Sequence, residues 1–339
     1  MLGVRVGEDV DPRAGGDCQV GGECVEDERR EVMAKTRIEW ADRVWNPVTG
    51  CTKVSDGCRN CYAETMAKRF WKDREFCDVQ IHYERLAQPL NWKIPARVFV
   101  NSMSDLFHDD VPIEFVDEMF DVMSSAERHT FMILTKRPLN MWNFFLWKEA
   151  RDKTFNRIHS FKNVWLGVSV EDQKTANERI PLLLKIPAAV RFVNCEPLLE
   201  KIELDEIPQA LFSVKNDPGE KITVAEGGLD WVIVGGESGK NARPMHPDWV
   251  RSIRDCCISA EIPFFFKQWG EWQLTDGRLE IQRLVNGEKE RILTSIKIPG
   301  AIGYQDAWFR WVGKKAAGRM LDGKKWSQFP VGKDGVNDK

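Results

Sequence analysis

Six short apolar runs recur along the chain and predict buried β-strands. The runs are rich in β-branched and aromatic residues, which is typical of strands covered on both faces, as in parallel sheets. Successive runs start 33, 33, 27, 40 and 33 residues apart, about the length of chain that a βαβ unit needs. The runs are residues 97–101, 130–135, 163–169, 190–194, 230–235 and 263–267.

Helical patterns fill the gaps between these runs. Apolar residues recur at helical spacing after Pro112 and after Pro247, and proline suits the first turn of a helix. A third stripe surrounds Pro181, which we interpret as a kink or boundary. With a first strand near residues 43–48, the pattern predicts an α/β fold, a parallel (β/α) partial or complete TIM-like barrel of about six to seven units.

Charge and turn signals divide the chain into three parts. Residues 1–32 have nine acidic and four basic residues, a net charge of −5, which leaves +2 on the remainder. We expect this segment to be a disordered acidic tail, dispensable or an over-extended gene start, with Met33 as the natural start. Residues 33–270 are predicted to form the barrel. Residues 271–339 are predicted to form a hairpin-rich appendage and a basic tail, with turn signals at 276–277 and 286–287.

Composition narrows the class of protein. Hydrophobic residues make up 42% and charged residues 30% of the chain, which excludes bulk disorder. No apolar run approaches the ~20 residues that span a bilayer, and the first residues lack the apolar core of a secretory signal. We therefore expect a cytoplasmic protein without membrane contact, in which nine cysteines favour metal or redox chemistry over disulfides.

Three cysteines carry the sharpest chemical signal. Cys51, Cys58 and Cys61 follow the predicted first strand with the spacing C-x6-C-x2-C, and a C-x2-C pair directs two sulfurs at one metal or cluster. A helix is predicted to begin near Arg59. Three interpretations stay open: ordinary buried cysteines, structural zinc with Cys77 or His82 as fourth ligand, or an iron–sulfur cluster with three protein thiolates. The last leaves one iron free to bind a small molecule.

Polar residues follow nearly every predicted strand. The carboxyl ends of parallel strands meet at one rim, where α/β proteins gather their chemistry, so we expect a polar cavity there. Helix N-capping by Ser169 and Asp172 is the alternative for those two residues. The strand-end residues are Asn101, Ser102, Ser104, Asp105 and His108; Thr135, Lys136 and Arg137; Ser169, Glu171 and Asp172; Cys195 and Glu196; Gly235 to Gly239; and Lys267, Gln268 and Trp269.

Several motifs together resemble an uncharacterised phage-associated family, over about residues 33–330. That family in turn resembles the radical S-adenosylmethionine (radical SAM) proteins. The resemblance implies a (β/α)6-type partial barrel whose three cysteines hold a [4Fe-4S] cluster, with SAM bound at the open iron. The motifs are Trp45 to Glu64, Asn101 to His108, Leu134 to Pro138, Trp165 to Asp172, Cys195 to Leu198, Gly235 to Gly239 and Phe266 to Trp269.

Residue roles follow from the resemblance by position. It implies Cys51, Cys58 and Cys61 as cluster ligands and Tyr62 near the adenine of SAM. The end of the second strand would meet the methionine amino group, and the end of the fourth would meet the ribose or carboxylate. The first cysteine gap departs from the usual spacing, six residues instead of three. The strand-end residues concerned are Asn101, Ser102, Ser104 and Asp105 for the second strand, and Ser169 and Glu171 for the fourth.

Two functions therefore stand as expectations. The first is a radical SAM-type enzyme that abstracts hydrogen from an unknown substrate, with a nucleic acid as candidate and a reductant such as a flavodoxin or ferredoxin. The alternative is a zinc-stabilised nucleic-acid-binding protein, or a hydrolase using Asp105, Glu196 and Glu237 as metal ligands. The chain has no Gly-x-Ser-x-Gly motif and no P-loop, which argues against a serine hydrolase or a P-loop nucleotidase.

Overall fold

The computed structural model describes most of the chain after residue 35. It covers Thr36 and residues 38–152, 161–186, 188–211, 227–275, 280–285, 288–293, 295–298 and 307–330, and between 280 and 298 it describes strands without their side chains. The predicted acidic tail and both turn signals lie outside the described residues. The described residues belong to one compact unit.

Strands and helices alternate along most of the described chain between residues 43 and 268, as the apolar runs predict. The strands are β1 Arg43–Trp45, β2 Val48–Thr49, β3 Gln80–Ile81, β4 Arg97–Val100, β5 Thr130–Thr135, β6 Val164–Ser169, β7 Val190–Cys195, β8 Trp231–Gly235, β9 Phe264–Gln268, β10 Trp272–Thr275, β11 Glu280–Val285, β12 Glu288–Leu293, β13 Ser295–Ile298 and β14 Ala307–Trp311. The helices are α1 Tyr62–Phe70, α2 Gln88–Asn91, α3 Ile113–Ser125, α4 Pro138–Arg151, α5 Gln173–Leu184, α6 Pro247–Ser259 and α7 Lys314–Ala317.

Seven of the strands form one parallel sheet. Its order is β1-β4-β5-β6-β7-β8-β9, so each new βα unit adds its strand beside the previous one. The sheet curls into a half-barrel flanked by helices. The prediction of a partial TIM-like barrel is therefore confirmed, and the carboxyl ends of the seven strands share one rim.

Alternate strand residues face two different cores. In β4, Val98 and Val100 belong to the larger core that includes helix residues, whereas Phe99 belongs to the smaller core inside the curve of the sheet. This period of two is what a pleated strand imposes when both faces are covered. The inner core contains a group of rings that we call the aromatic floor: Trp40, Phe99, Trp165, Phe192, Trp231, Phe265 and Phe329.

Trp231 lies at the centre of the aromatic floor and is fully buried. Five other rings of the floor have centroids 5.1 to 6.4 Å from it. Its indole N–H donates to the backbone oxygen of Gln328 at 2.8 Å, so its polar atom is satisfied inside an apolar cluster. The floor fills the interior of the half-barrel and leaves the carboxyl rim for polar groups.

Helix α5 bears on the interpretation of Pro181, as a kink or a boundary, and on that of Asp172, as an N-cap. Pro181 lies inside the helix rather than at its boundary. Asp172 is the N-cap, and its side chain forms a reciprocal capping box with Thr175. The N-cap interpretation is therefore confirmed for Asp172, whereas Ser169 is the last residue of β6.

The described residues after 270 form antiparallel pairs and a returning segment. β10, β14 and β13 make one small sheet, and β11 pairs with β12. Ser327 then forms an antiparallel bridge with Phe265 of β9, which brings Phe329 to the aromatic floor. No helix within the described part of the chain is long and apolar enough to cross a membrane.

Candidate functional site

A cavity of about 670 Å³ opens at the carboxyl rim of the half-barrel. Its lining contains the three cysteines of the motif and all but one of the predicted cofactor residues, so sequence positions 51 to 169 converge on one space. Glu171 does not line it. The predicted residues that do are Cys51, Cys58, Cys61, Tyr62, Asn101, Ser102, Ser104, Asp105 and Ser169.

The cysteine loop, which we define as residues 51–61, follows a glycine that no other residue could replace without strain. Gly50 has φ +96°, and a Cβ there would lie 2.3 Å from the backbone oxygen of Asp78. The backbone N–H of Cys51 donates to the Phe76 oxygen at 2.8 Å. Cys58 ends a short 3₁₀ turn, and Cys61 is the N-cap of α1. The predicted helix therefore begins at Tyr62, three residues later than expected.

The first cysteine packs against a buried guanidinium. Arg137 Nη1 lies 3.6 Å from Cys51 Sγ and 3.2 Å from Asp105 Oδ2. Burial and the charge of Asp105 raise the pKa of the Cys51 thiol to about 11, although Arg137 acts in the opposite direction. Asp105 also accepts from the hydroxyl of Thr135 at 2.7 Å. The ends of β4 and β5 thus hold Cys51 through one charged network.

The middle of the cysteine loop is held by a second network, which we call the clasp: Asp56, Asn60, Glu237 and Arg243. Asn60 donates to Glu237 Oε2 at 3.0 Å, and Arg243 Nη2 donates to Glu237 Oε1 at 2.7 Å. Arg243 also pairs with Asp56. Burial raises the pKa of Glu237, but the hydrogen bonds from Arg243 and Asn60 outweigh it and hold the pKa below its usual value. The glycine-rich end of β8 therefore anchors the loop.

Glu171 lies beneath the cysteine loop rather than in the cavity. It is fully buried and pairs with Arg179, whose Nη1 lies 3.0 Å from Glu171 Oε2. A Cβ on Gly57 would lie 2.8 Å from Glu171 Cδ, so the loop passes directly over this carboxylate. A ribose or carboxylate ligand in the cavity would not meet Glu171 in this arrangement.

Among the residues that the structure describes, three buried polar atoms on cavity-lining side chains have no hydrogen-bond partner. They are Trp40 Nε1, Asn101 Nδ2 and Asn194 Oδ1, on side chains that are all less than 5% exposed. Asn101 also has φ +57°, in the left-handed region that is uncommon for a residue other than glycine. Unpaired buried groups cost stability and mark functional sites more often than random positions. The set includes two donors and one acceptor, all buried within the lining rather than exposed to the cavity.

A half-buried ion pair lies on the same rim. Lys267 Nζ lies 2.8 Å from Glu196 Oε2, and Gln268 donates to Glu196 Oε1 at 3.1 Å. Burial raises the pKa of Glu196, yet the charge and hydrogen bond of Lys267 hold it below its usual value. Asp105, Glu196 and Glu237, the metal ligands of the hydrolase hypothesis, all line the cavity. Each already has its own cation, in Arg137, Lys267 and Arg243.

A model of the family described as "Protein of unknown function (DUF5131)" matches residues 35–330. The chain belongs to this family. The match confirms the prediction of an uncharacterised family and covers the half-barrel and the described residues after it. A search of curated proteins and a search of solved structures each found no match. The DUF5131 assignment therefore carries no activity, and the chemistry has to be argued from the site.

The three thiols suit an iron–sulfur cluster by donor type and by location. All three are half-buried and line the cavity, whereas the other four described cysteines do not. Within the described ranges, no group of three or more His, Cys, Asp or Glu side chains is arranged to hold a metal ion. The thiols would therefore have to converge on binding. Neither candidate for a fourth zinc ligand lines the cavity: Cys77 is exposed, and His82 Nε2 contacts Thr49 Oγ1 at 2.8 Å.

Sequence reasoning missed the residues that support the cysteine loop. Arg137 stood out only as one polar strand end among several, and Glu237 was named only as a metal ligand of the hydrolase hypothesis. The Asn60 contact with Glu237 joins residues 177 positions apart. No local pattern encodes such a contact. The sequence offered only an indirect signal for these residues. Polar residues between two candidate ligands, such as Asn60, need hydrogen-bond partners if the loop is to be ordered.

Proposed function

We propose that this DUF5131 protein is a radical SAM-type enzyme with a [4Fe-4S] cluster held by Cys51, Cys58 and Cys61. Support comes from the position of these three thiols, which line one cavity at the carboxyl rim together with Tyr62 and the β4 end. Support also comes from polar side chains in its lining, among them Asn101, Ser102 and Asp105, because SAM offers amino, carboxylate, hydroxyl and adenine groups to such partners.

When bound, the cluster supplies one electron that cleaves SAM to methionine and a 5′-deoxyadenosyl radical, which takes a hydrogen atom from the substrate. The chain's own residues prepare the site. Arg137 and the clasp fix the cysteine loop from two sides. Tyr62 donates its hydroxyl to the Ser102 backbone oxygen, which ties α1 to the end of β4. The aromatic floor closes the interior beneath the cavity and excludes water from below.

The observation that carries the proposal is the shared location of the thiols. Cysteines far from the rim, or on opposite sides of the sheet, would not support a cofactor role. The chain places Cys51 at the start of the cysteine loop and Cys61 at the N-cap of α1, and both line the cavity. An external one-electron donor, such as a flavodoxin or ferredoxin, completes the proposed reaction.

The test is anaerobic reconstitution with iron and sulfide. We expect a brown protein with about four irons per chain, and 5′-deoxyadenosine after reduction in the presence of SAM. Cys58→Ala should lose most of the iron and the product. Cys77→Ala is the matched control, because Cys77 is exposed and outside the cavity lining, and it should retain both.

Other results would point elsewhere. A colourless wild-type protein with one zinc per chain would overturn the proposal and favour the zinc alternative. Loss of that zinc in Cys77→Ala would then identify the fourth ligand. A protein that holds about four irons but yields no 5′-deoxyadenosine would retain the cluster assignment and reject the radical SAM activity.

A further inference from the structure

Arg137 is locked in place directly behind the first proposed ligand. Its side chain is 7% exposed, and its Nη1 reaches both Cys51 Sγ and Asp105. Its Nη2 donates to the backbone oxygen of Thr52 at 3.1 Å and to the Thr52 hydroxyl at 2.8 Å. With both ends of the guanidinium fork engaged, the side chain cannot rotate away from the sulfur.

Lys136 is a natural comparison one residue earlier. It also lines the cavity and is half-buried, but its ammonium forms no hydrogen bond or ion pair with the described residues. Only its backbone N–H is used, donating to Asp105 at 3.0 Å. Two adjacent cations therefore face the same cavity, and one of them contacts a cysteine sulfur.

We propose that Arg137 is a positioning residue that raises the reduction potential of the bound cluster through its N–H···S contact with Cys51. This inference rests on the proposed function. Reduction adds one negative charge to a cluster, and a donor aimed at a ligating sulfur stabilises the more negative form. Hydrogen bonds to the sulfurs are a recognised means of setting cluster potentials. The buried setting strengthens the effect, because a low local dielectric screens it less.

The neighbouring carboxylate of Asp105 makes it possible to test the effect of the hydrogen bond separately from the effect of the Arg137 charge. Arg137 and Asp105 form a buried pair at 3.2 Å, both 7% exposed, so their net charge near Cys51 is close to zero. Replacing both residues removes the N–H donor without changing that net charge. Replacing Arg137 with an uncharged residue alone would leave Asp105 buried and unpaired, which destabilises the fold strongly.

The experiment compares four reconstituted variants with the wild type, without SAM or substrate. The double variant Arg137→Met with Asp105→Asn removes the donor at constant net charge. Arg137→Lys keeps the charge but loses the fork. Asp105→Asn alone keeps the donor, and Lys136→Met removes a nearby charge without touching the sulfur. Each potential is measured by dye-mediated redox titration, followed by electron paramagnetic resonance of the reduced cluster, with iron content determined in parallel.

We expect the double variant and Arg137→Lys to have lower potentials than the wild type, and a shift in the double variant larger than that in Lys136→Met. Asp105→Asn should not lower the potential. The proposal is overturned if the double variant loads iron normally at the wild-type potential, or shifts no more than Lys136→Met. If the double variant takes up no iron, Arg137→Lys is used in its place. The proposal is then overturned if Arg137→Lys loads iron at the wild-type potential or shifts no more than Lys136→Met.

The remaining outcomes are also decisive. If neither Arg137 variant takes up iron while Lys136→Met does, Arg137 is needed for assembly and not for tuning, and the proposal is overturned. A wild-type protein that takes up no cluster instead contradicts the proposed function. The two failures are therefore distinguishable.

Discussion

Gly57 is the residue at which the cysteine loop passes over Glu171. The carboxylate cannot move aside easily, because Arg179 holds it from below at 3.0 Å. A methyl group on residue 57 would lie 2.8 Å from Glu171 Cδ, so the loop itself would have to rise. The position of Cys58, the next residue, therefore depends on the absence of a side chain at 57.

Gly57→Ala should reduce iron uptake on reconstitution and lower the free energy of unfolding by about 1–3 kcal/mol, the usual cost of overpacking. Iron content and urea unfolding of the metal-free protein measure the two effects. Gly239→Ala is the control, because Gly239 has φ +107° but no atom within 4 Å of an added Cβ. It should lose some stability and keep its iron. Equal iron uptake by both variants would contradict the steric explanation.

At the level of elements, the sequence predicted the strands and the rim but not the contacts between them. Parallel strands covered on both faces appear as unbroken apolar runs, so β4 and β8 are visible without a structure. The polar residue after each strand is visible too, and the cavity contains most of those named. Whether a strand-end side chain faces the cavity depends on its contacts in the folded chain, and the sequence around the residue does not reveal them. Glu171 turns beneath the loop because Arg179, eight residues on along α5, satisfies it there.

The clasp illustrates the same limit and yields a pH prediction. Glu237 has a lowered pKa in the folded chain, against an ordinary value of 4.5. A carboxyl whose folded pKa is depressed stabilises the fold above its unfolded pKa, and this contribution is lost as the pH falls through the folded value. Glu237→Gln should therefore lower the free energy of unfolding at pH 7 by about 1.5–3 kcal/mol, as for a hydrogen-bonded charge.

Urea unfolding at pH 7 and at acidic pH measures this difference, which should shrink below pH 4.5, where the wild-type carboxyl begins to protonate in the unfolded chain. Glu64→Gln is the matched control. Glu64 also has a lowered pKa, from Lys53 and Lys68, but both lysines are more than half exposed. Glu64→Gln should therefore lower the free energy of unfolding by only about 0–1 kcal/mol. A difference for Glu237→Gln that does not depend on pH would contradict the role of its charge.

For the molecule as a whole, the half-barrel divides into a polar rim and the aromatic floor. Trp40, before the first strand, and Phe329, near the end of the described chain, both join that floor. Neither was predicted, because their partners are distant in sequence and no periodic pattern surrounds them. Trp40 contacts Phe99 with ring centroids 4.7 Å apart, and both residues line the cavity from below. The two ends of the described chain thus complete the core beneath the site.

The returning segment should therefore contribute to global stability and not only cover the surface. The Phe329 ring lies 5.1 Å from Trp231 and 5.4 Å from Phe265, centroid to centroid, and the Arg97 guanidinium stacks over it at 4.3 Å. Because Phe329 is only half-buried, Phe329→Ala should lower the free energy of unfolding by about 2–3 kcal/mol, less than the 3–5 kcal/mol for a fully buried phenylalanine.

Trp311→Ala is the control for this prediction. It removes a larger ring that is 40% exposed on β14, and it should lower the free energy of unfolding by less than Phe329→Ala does. Chemical denaturation followed by tryptophan fluorescence measures both changes, and hydrogen exchange should increase at the Phe264 amide, which donates to Gln328 at 2.9 Å. If Phe329→Ala were as stable as the wild type, with unchanged exchange at Phe264, the segment would be a passive cover and the floor would be complete without it.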